Sequence, residues 1–200
     1  MKRKVGVLVS GRGSNLAALI AAAEAPDYPA RIVLVISNIA DAGGLRRATE
    51  AGIATTCIAH HGKDREHFDR ELDAELKRAG VEIVCLAGFM RILSDWFARE
   101  WEGRLINIHP SLLPAYKGTR VHERVIEAGE ALSGASVHFV VPELDAGPVI
   151  AQARVPVHAG DSPDILAARV LTVEHQLYPA ALRLLAEGKV RLEKGLAVFA

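Results

Sequence analysis

The chain is 200 residues long, which is the length of one ordinary domain. Lysine plus arginine and aspartate plus glutamate number 24 each, and no long block of one sign occurs. This charge pattern argues against a general nucleic-acid binder. No stretch approaches the roughly 20 apolar residues that span a bilayer. We therefore expect a cytoplasmic protein with a single domain over residues 1–200, no membrane partner and no nucleic-acid partner.

The two cysteines, Cys57 and Cys85, both lie in apolar surroundings. Neither belongs to a C-x-x-C motif or has a histidine close by in the pattern of a metal site. Both are therefore predicted to be small buried residues, since free cysteine is commonly found in cores. We expect neither a disulfide nor a structural zinc ion.

Short strand-like runs alternate with longer amphipathic runs through the first half of the chain. In one of the latter, Phe68, Leu72 and Leu76 recur every four residues and Gly80 follows as a stop signal. A repeated strand and helix predicts a parallel sheet with helices on both faces. The predicted strands are residues 4–10, 30–37, 55–59, 82–87 and 104–109, and the predicted helices are residues 14–24, 42–51, 65–79 and 94–100.

The pattern changes after Gly129. Residues 135–141 and 149–157 are strand-like and are joined by a short turn, so they are predicted to be neighbouring antiparallel strands. A helix follows, with Pro163 in its first turn and an interruption expected near Pro179. The predicted fold is α/β: a Rossmann-like, mostly parallel sheet with helices on both faces and an antiparallel strand addition near the C-terminus.

The segment "VGVLVSGRGSNLAALIAAA" is typical of a strand, a glycine loop and a helix. Gly11 and Gly13 permit a tight turn, and the free amides at the start of the helix favour a phosphate. As a dinucleotide fingerprint the segment is imperfect, because Leu16 stands where a third glycine belongs. Asp41, shortly after the second strand, keeps that alternative open, as does a tight turn that binds nothing.

Asn107 and His109 occupy the end of a predicted strand, where the carboxyl ends of parallel strands form ligand sites. Side chains two residues apart face the same way, so both are expected to project into one crevice. Pro110 gives the segment a rigid exit. Asp145, in a constrained turn between two strands, is predicted to meet His109. The apolar segment 86–93, which carries Arg91, is either plain core or a surface for a flat ligand.

Several stretches together resemble the phosphoribosylglycinamide formyltransferase branch of the folate-dependent formyltransferase family, over about residues 4 to 185. They are "SGRGSNL", "SNIADAGGLRRATEAGI", "LAGFMRIL", "NIHPSLLPAYKG", "SVHFV", "ELDAGPVIAQARVPV" and "EHQLYP". The resemblance implies transfer of the formyl group of 10-formyltetrahydrofolate to the amine of 5-phosphoribosylglycinamide, in de novo purine biosynthesis. It implies small-molecule substrates, no metal, and a monomer or homodimer.

The resemblance also implies roles for individual residues, with nucleotide binding in the N-terminal part, folate binding in the C-terminal part and the active site between. Asn107, His109 and Asp145 would be catalytic. The ribonucleotide would contact Gly13, Ser14, Asn15 and Glu174. The folate would contact Arg65, Met90, Arg91, Ile92, Leu93, Asn107, Val140 and Val141. The chain departs from the family pattern at Arg120, where relatives often carry histidine. Its guanidinium is expected either to compete for Asp145 or to assist phosphate binding.

Other functions stay open on the sequence. Two lie in the same family: formyl transfer to another amine, such as that of methionyl-tRNA, and hydrolysis of formyltetrahydrofolate. Both activities usually come with an additional domain. A third, from a different class, is a non-catalytic nucleotide-binding module built on the glycine loop, which would leave Asn107, His109 and Asp145 without a shared location.

Overall fold

A computed structural model describes all residues from Met1 to Ala200. It contains a seven-stranded sheet, a separate two-stranded hairpin and six helices. In chain order the elements are β1 (Arg3–Val9), α1 (Ser14–Glu24), β2 (Ala30–Ser37), α2 (Gly43–Glu50), β3 (Ala54–Cys57), α3 (Arg65–Arg78), β4 (Ile83–Leu86), α4 (Asp95–Glu100), β5 (Leu105–His109), α5 (Val121–Glu127), β6 (Leu132–Phe139), β7 (Val149–Pro156), α6 (Pro163–Ala186), β8 (Val190–Glu193) and β9 (Leu196–Phe199).

The strand order of the large sheet is β3-β2-β1-β4-β5-β6-β7. Strands β1 to β5 pair in parallel, while the β5–β6 and β6–β7 pairs are antiparallel. The predicted fold class is therefore confirmed. Because the strand order reverses between β1 and β4, the loops that follow these two strands flank the crevice where such sheets bind ligands. These loops are the glycine loop and segment 87–94.

Helices cover both faces of the sheet, and each face packs against its helices to form a separate apolar cluster. Neighbouring residues of β1 point to opposite faces, as the period of a strand requires: Val7 packs into the larger cluster and Leu8 into the smaller. The larger cluster includes residues of α1, α5 and α6. The smaller includes Phe68, Leu72 and Leu76 of α3, whose predicted buried face is confirmed.

Two local predictions are wrong, and one element was missed. Helix α6 runs through Pro179 as one helix, since a single missing amide removes only one of its hydrogen bonds. Cys57 is exposed because it ends the edge strand β3, whereas Cys85 is buried as predicted. The hairpin β8–β9 was not predicted. None of the six helices combines the length and apolar composition needed to cross a membrane.

Tyr178 fastens α6 to the sheet directly beneath the crevice. Its ring is fully buried, and its hydroxyl lies 2.9 Å from the carbonyl oxygen of Leu86 and 3.1 Å from that of Ile106. Leu86 is the last residue of β4, and Ile106 immediately precedes Asn107 in β5. The hydroxyl therefore links the longest helix to the two strands that carry the crevice.

We expect Tyr178→Phe to lower the free energy of unfolding by about 1 kcal/mol, because a buried hydrogen bond is lost while the ring is kept. Urea unfolding should show a lower midpoint at an unchanged slope. The control is Tyr116→Phe. The hydroxyl of Tyr116 bonds Glu130 at the surface, so its loss should lower the free energy of unfolding by less than about 0.5 kcal/mol. Equal effects of the two substitutions would contradict this role for Tyr178.

Candidate active site

A cavity of about 690 Å³ opens beside the ends of β4 and β5. Its volume suits a drug-sized organic ligand, since such sites typically measure roughly 300 to 1,000 Å³. Its wall is formed mainly by segments 88–93, 107–110, 118–123 and 140–145, with His138 between them. Asn107, His109 and Asp145 all line it, so the three predicted catalytic residues share one location.

The carboxylate of Asp145 is the buried charge of this cavity, with its side chain only 8% exposed. One oxygen, Oδ2, accepts a hydrogen bond from the backbone amide of Gly118 at 2.8 Å and lies 3.5 Å from Nδ1 of His109. The other, Oδ1, lies 3.8 Å from Nε2 of His138. The carboxylate therefore joins the β6–β7 loop to β5, β6 and the segment that follows β5.

The backbone around Asp145 is bent sharply to bring the carboxylate inward. Asp145 itself has a φ of +49°, a left-handed conformation that aspartate tolerates better than most residues. Two residues on, any side chain at Gly147 would overlap the carbonyl oxygen of Phe139. Glycine is therefore required there for the loop to return against β6.

His109 ends β5 and is 5% exposed. Its Nε2 lies 2.9 Å from the carbonyl oxygen of Tyr116, and its Nδ1 faces the carboxylate of Asp145. A carbonyl and a carboxylate only accept hydrogen bonds. Donating to both partners at once therefore requires a hydrogen on each ring nitrogen.

Segment 88–93 forms the apolar wall of the cavity. Met90 and Ile92 expose large apolar side chains, and the guanidinium of Arg91 lies 4.8 Å above the ring of Phe68. The amide of Met90 donates to the hydroxyl of Ser10, 2.7 Å away, at the end of β1. This bond fixes the wall against the strand that leads into the glycine loop.

The glycine loop lies outside the cavity wall but remains connected to it. Gly13, with a φ of +73°, precedes α1 and packs so closely on α2 that a Cβ would lie 2.6 Å from the Cα of Gly44. Asn15 Nδ2 donates to Oε2 of Glu174 at 2.7 Å. Burial raises the pKa of Glu174, while Asn15 and the charges of His175 and His109 oppose that rise. The Asn15–Glu174 hydrogen bond thus brings two of the predicted nucleotide residues together.

Residues 3–182 match the family model described as formyl transferase. The chain belongs to the formyl transferase family. It is 50% identical over 192 residues to the phosphoribosylglycinamide formyltransferase of Escherichia coli (strain K12), covering 96% of this chain and 91% of that protein. It is also 50% identical to the trifunctional purine biosynthetic protein adenosine-3 of Bos taurus, of which it spans only 19% of the length.

Solved structures agree with this family assignment. Glycinamide ribonucleotide transformylase 1 from Symbiobacterium toebii superimposes with a TM-score of 0.96 at 40% identity, covering 99% of this chain and 94% of that one. A formyltetrahydrofolate deformylase from Pseudomonas syringae pv. tomato gives a TM-score of 0.91 at 30% identity. This chain, fully covered in that match, corresponds to only 66% of the deformylase.

The predicted ligand residues of this formyl transferase fall into three groups. All but one of the predicted folate residues line the cavity: Met90, Arg91, Ile92, Leu93, Asn107, Val140 and Val141. The exception is Arg65, which is exposed at the start of α3. The nucleotide set gathers at the start of α1 and on α6. Arg120 also lines the cavity but pairs with Glu123, so its guanidinium does not take Asp145 from His109. The ligand roles themselves stay predictions.

Three contacts of the site were not predicted: those of His138, the Tyr116 carbonyl and the Gly118 amide. A histidine within an apolar strand is typical of a structural residue, but the register of His138 opposite Asn107 places it in the cavity. The other two contacts come from the backbone and carry no side-chain signal. His122 also lines the cavity, and burial lowers its pKa.

We expect Glu174→Gln to stabilise the fold at pH 8 more than at about pH 4.5. Burial raises the folded-state pKa of Glu174, so its proton is retained in the folded chain after the unfolded chain has lost it. The wild type therefore loses stability as pH rises through that pKa, whereas glutamine does not titrate. Urea unfolding at the two pH values measures the difference. The exposed Glu50→Gln should show no such trend, and a pH-independent effect of Glu174→Gln would refute the explanation.

Proposed function

We propose that this chain transfers the formyl group of 10-formyltetrahydrofolate to the amine of 5-phosphoribosylglycinamide, in de novo purine biosynthesis. The products are the N-formyl ribonucleotide and tetrahydrofolate. The observation that carries the proposal is the meeting of Asn107, His109 and Asp145 in one cavity of a formyl transferase fold. The Escherichia coli relative with this activity in its name is 50% identical over nearly its whole length, which supports the choice of acceptor.

The nucleotide and the folate approach His109 from different sides in this proposal. The free amides at the start of α1 receive the phosphate, because a helix N-terminus favours an anion. The folate occupies the cavity, with its flat ring system against the apolar wall around Met90 and Ile92. The amine and the formyl carbon then meet beside Asn107 and His109.

The reaction forms one C–N bond and breaks another. The amine attacks the formyl carbon, and the carbonyl oxygen becomes an oxyanion that needs donors already in position. Asn107 supplies an amide N–H and His109 a charged N–H. As the bond from the formyl carbon to N10 breaks, N10 takes a proton and the former amine loses one, with His109 as carrier. His109 gives its proton to N10 and regains one from the former amine, and Asp145 holds the ring in place throughout.

One hydrogen of His109 must change its partner for this step. Nε2 bonds the neutral carbonyl of Tyr116 in this structure, and Nδ1 faces Asp145. An oxyanion is a stronger acceptor than a neutral carbonyl, because hydrogen bonds between charged groups are shorter and stronger. The developing charge therefore displaces the Tyr116 carbonyl from His109 as the amine adds to the formyl group.

We expect Asp145→Asn to lower kcat by about 10² to 10³-fold, comparable to the loss of one oxyanion donor. Asparagine keeps the size of the side chain and an oxygen for the Gly118 amide, but it removes the charge that holds the imidazolium. Steady-state kinetics with glycinamide ribonucleotide measure the effect. The exposed Asp95→Asn serves as the control and should retain wild-type turnover. A near-native kcat for Asp145→Asn would contradict the assigned role.

The acceptor is tested directly by a spectrophotometric assay with 10-formyl-5,8-dideazafolate. Three reactions are compared: with glycinamide ribonucleotide, with methionyl-tRNA and with water alone as acceptor. The proposal requires the donor to be consumed rapidly only when the ribonucleotide is present. Equal consumption without any amine would instead identify a hydrolase, the activity named for the Pseudomonas structure.

A further inference from the structure

His138 lies on β6 directly opposite Asn107 on β5. Its Nδ1 is 2.8 Å from the carbonyl oxygen of Phe139, and its Nε2 is 3.2 Å from Nδ2 of Asn107. Because a carbonyl only accepts, Nδ1 must carry the hydrogen. In a neutral ring Nε2 then has a lone pair, which accepts a hydrogen bond from the Asn107 amide. The tautomer of His138 is thus set by a backbone carbonyl.

The surroundings keep this ring neutral. His138 is 2% exposed, and burial lowers its pKa below the usual value. The charged groups that face it act in both directions: Asp145 opposes the lowering, while His109 and Lys117 add to it. An unperturbed histidine titrates near about 6.5, so a ring with a lowered pKa is neutral at pH 7. Nε2 consequently remains an acceptor.

A carboxamide can occupy the same space in two orientations that exchange its nitrogen and its oxygen. Only the orientation with nitrogen toward His138 satisfies an acceptor at Nε2. That nitrogen carries two hydrogens, of which His138 takes one. The second is left for the cavity, where the proposed reaction places an oxyanion. The reversed orientation would turn an oxygen toward that negative charge.

We propose that His138 is a positioning residue that holds the Asn107 carboxamide with its nitrogen, rather than its oxygen, available to the oxyanion. This inference rests on the proposed function for its catalytic consequence, but the orientation itself does not. If both ring nitrogens of His138 carried hydrogen, Nε2 would become a donor, and the Asn107 carboxamide would have to exchange its nitrogen and oxygen. The proposed orientation therefore requires a neutral ring.

The kinetic test is a double-mutant cycle on His138 and Asn107. His138→Leu should lower kcat by on the order of 10- to 100-fold, because a misoriented donor loses its effect on the transition state. His138→Gln retains an oxygen that can accept from Asn107 and should recover most of that loss. With Asn107→Ala already present, His138→Leu should cost nothing further, since residues acting through one interaction are not additive. An equal loss in both backgrounds would overturn the proposal.

A spectroscopic test uses the unaltered chain and needs no activity. Nitrogen-15 spectra of histidine-labelled protein distinguish the two neutral tautomers and the imidazolium. We expect His138 at pH 7 to carry hydrogen on Nδ1 alone. Hydrogen on Nε2 would overturn the proposal even if the enzyme formylates its acceptor. Conversely, wild-type protein that fails to formylate glycinamide ribonucleotide would refute the proposed function while leaving the tautomer result intact.

Discussion

The buried carboxylate of Asp145 is the constraint on which the site depends. A charge that is largely removed from water is tolerated only when donors and opposite charges surround it. Here these partners come from separate parts of the chain: the Gly118 amide and His109 at the end of β5. Satisfying one carboxylate therefore fixes the β6–β7 loop against the end of β5 and the segment that follows it.

Because β6 runs antiparallel to β5, the β6–β7 loop must turn back along β5 to bring Asp145 to His109. Ile106 lies opposite Phe139 and His109 opposite Ser136, so β6 ends beside the beginning of β5. Three residues of strand, roughly 10 Å, separate that point from His109. The chain must travel back over this distance before β7 begins. The left-handed turn at Asp145 and the close approach of Gly147 to Phe139 allow it to do so.

The parts of the molecule that follow local patterns could be predicted from the sequence. Hydrophobic repeats with periods of 2 and 3.6 residues predicted the strands of the sheet and the buried face of α3, because both patterns arise from residues close together in the chain. The contact between His109 and Asp145 joins residues 36 positions apart and rested on motif resemblance as much as on topology. The place of His138 in the cavity had no signal of its own, because a histidine in an apolar strand is equally typical of a buried core residue. The Tyr116 carbonyl and the Gly118 amide had no residue-type signal, since any residue supplies those groups.

The two histidines beside Asp145 have different hydrogen-bond partners and different burial. His109 has acceptors at both ring nitrogens, so donating to both at once requires the doubly protonated ring that the proposed reaction uses. His138 has a backbone acceptor at Nδ1 and the Asn107 amide at Nε2, and its deeper burial favours the neutral ring. Environments that push similar groups toward different protonation states are how a fold assigns different chemical roles. In the proposed reaction, adjacent strands thus hold the proton carrier, His109, and the acceptor that orients the Asn107 amide, His138.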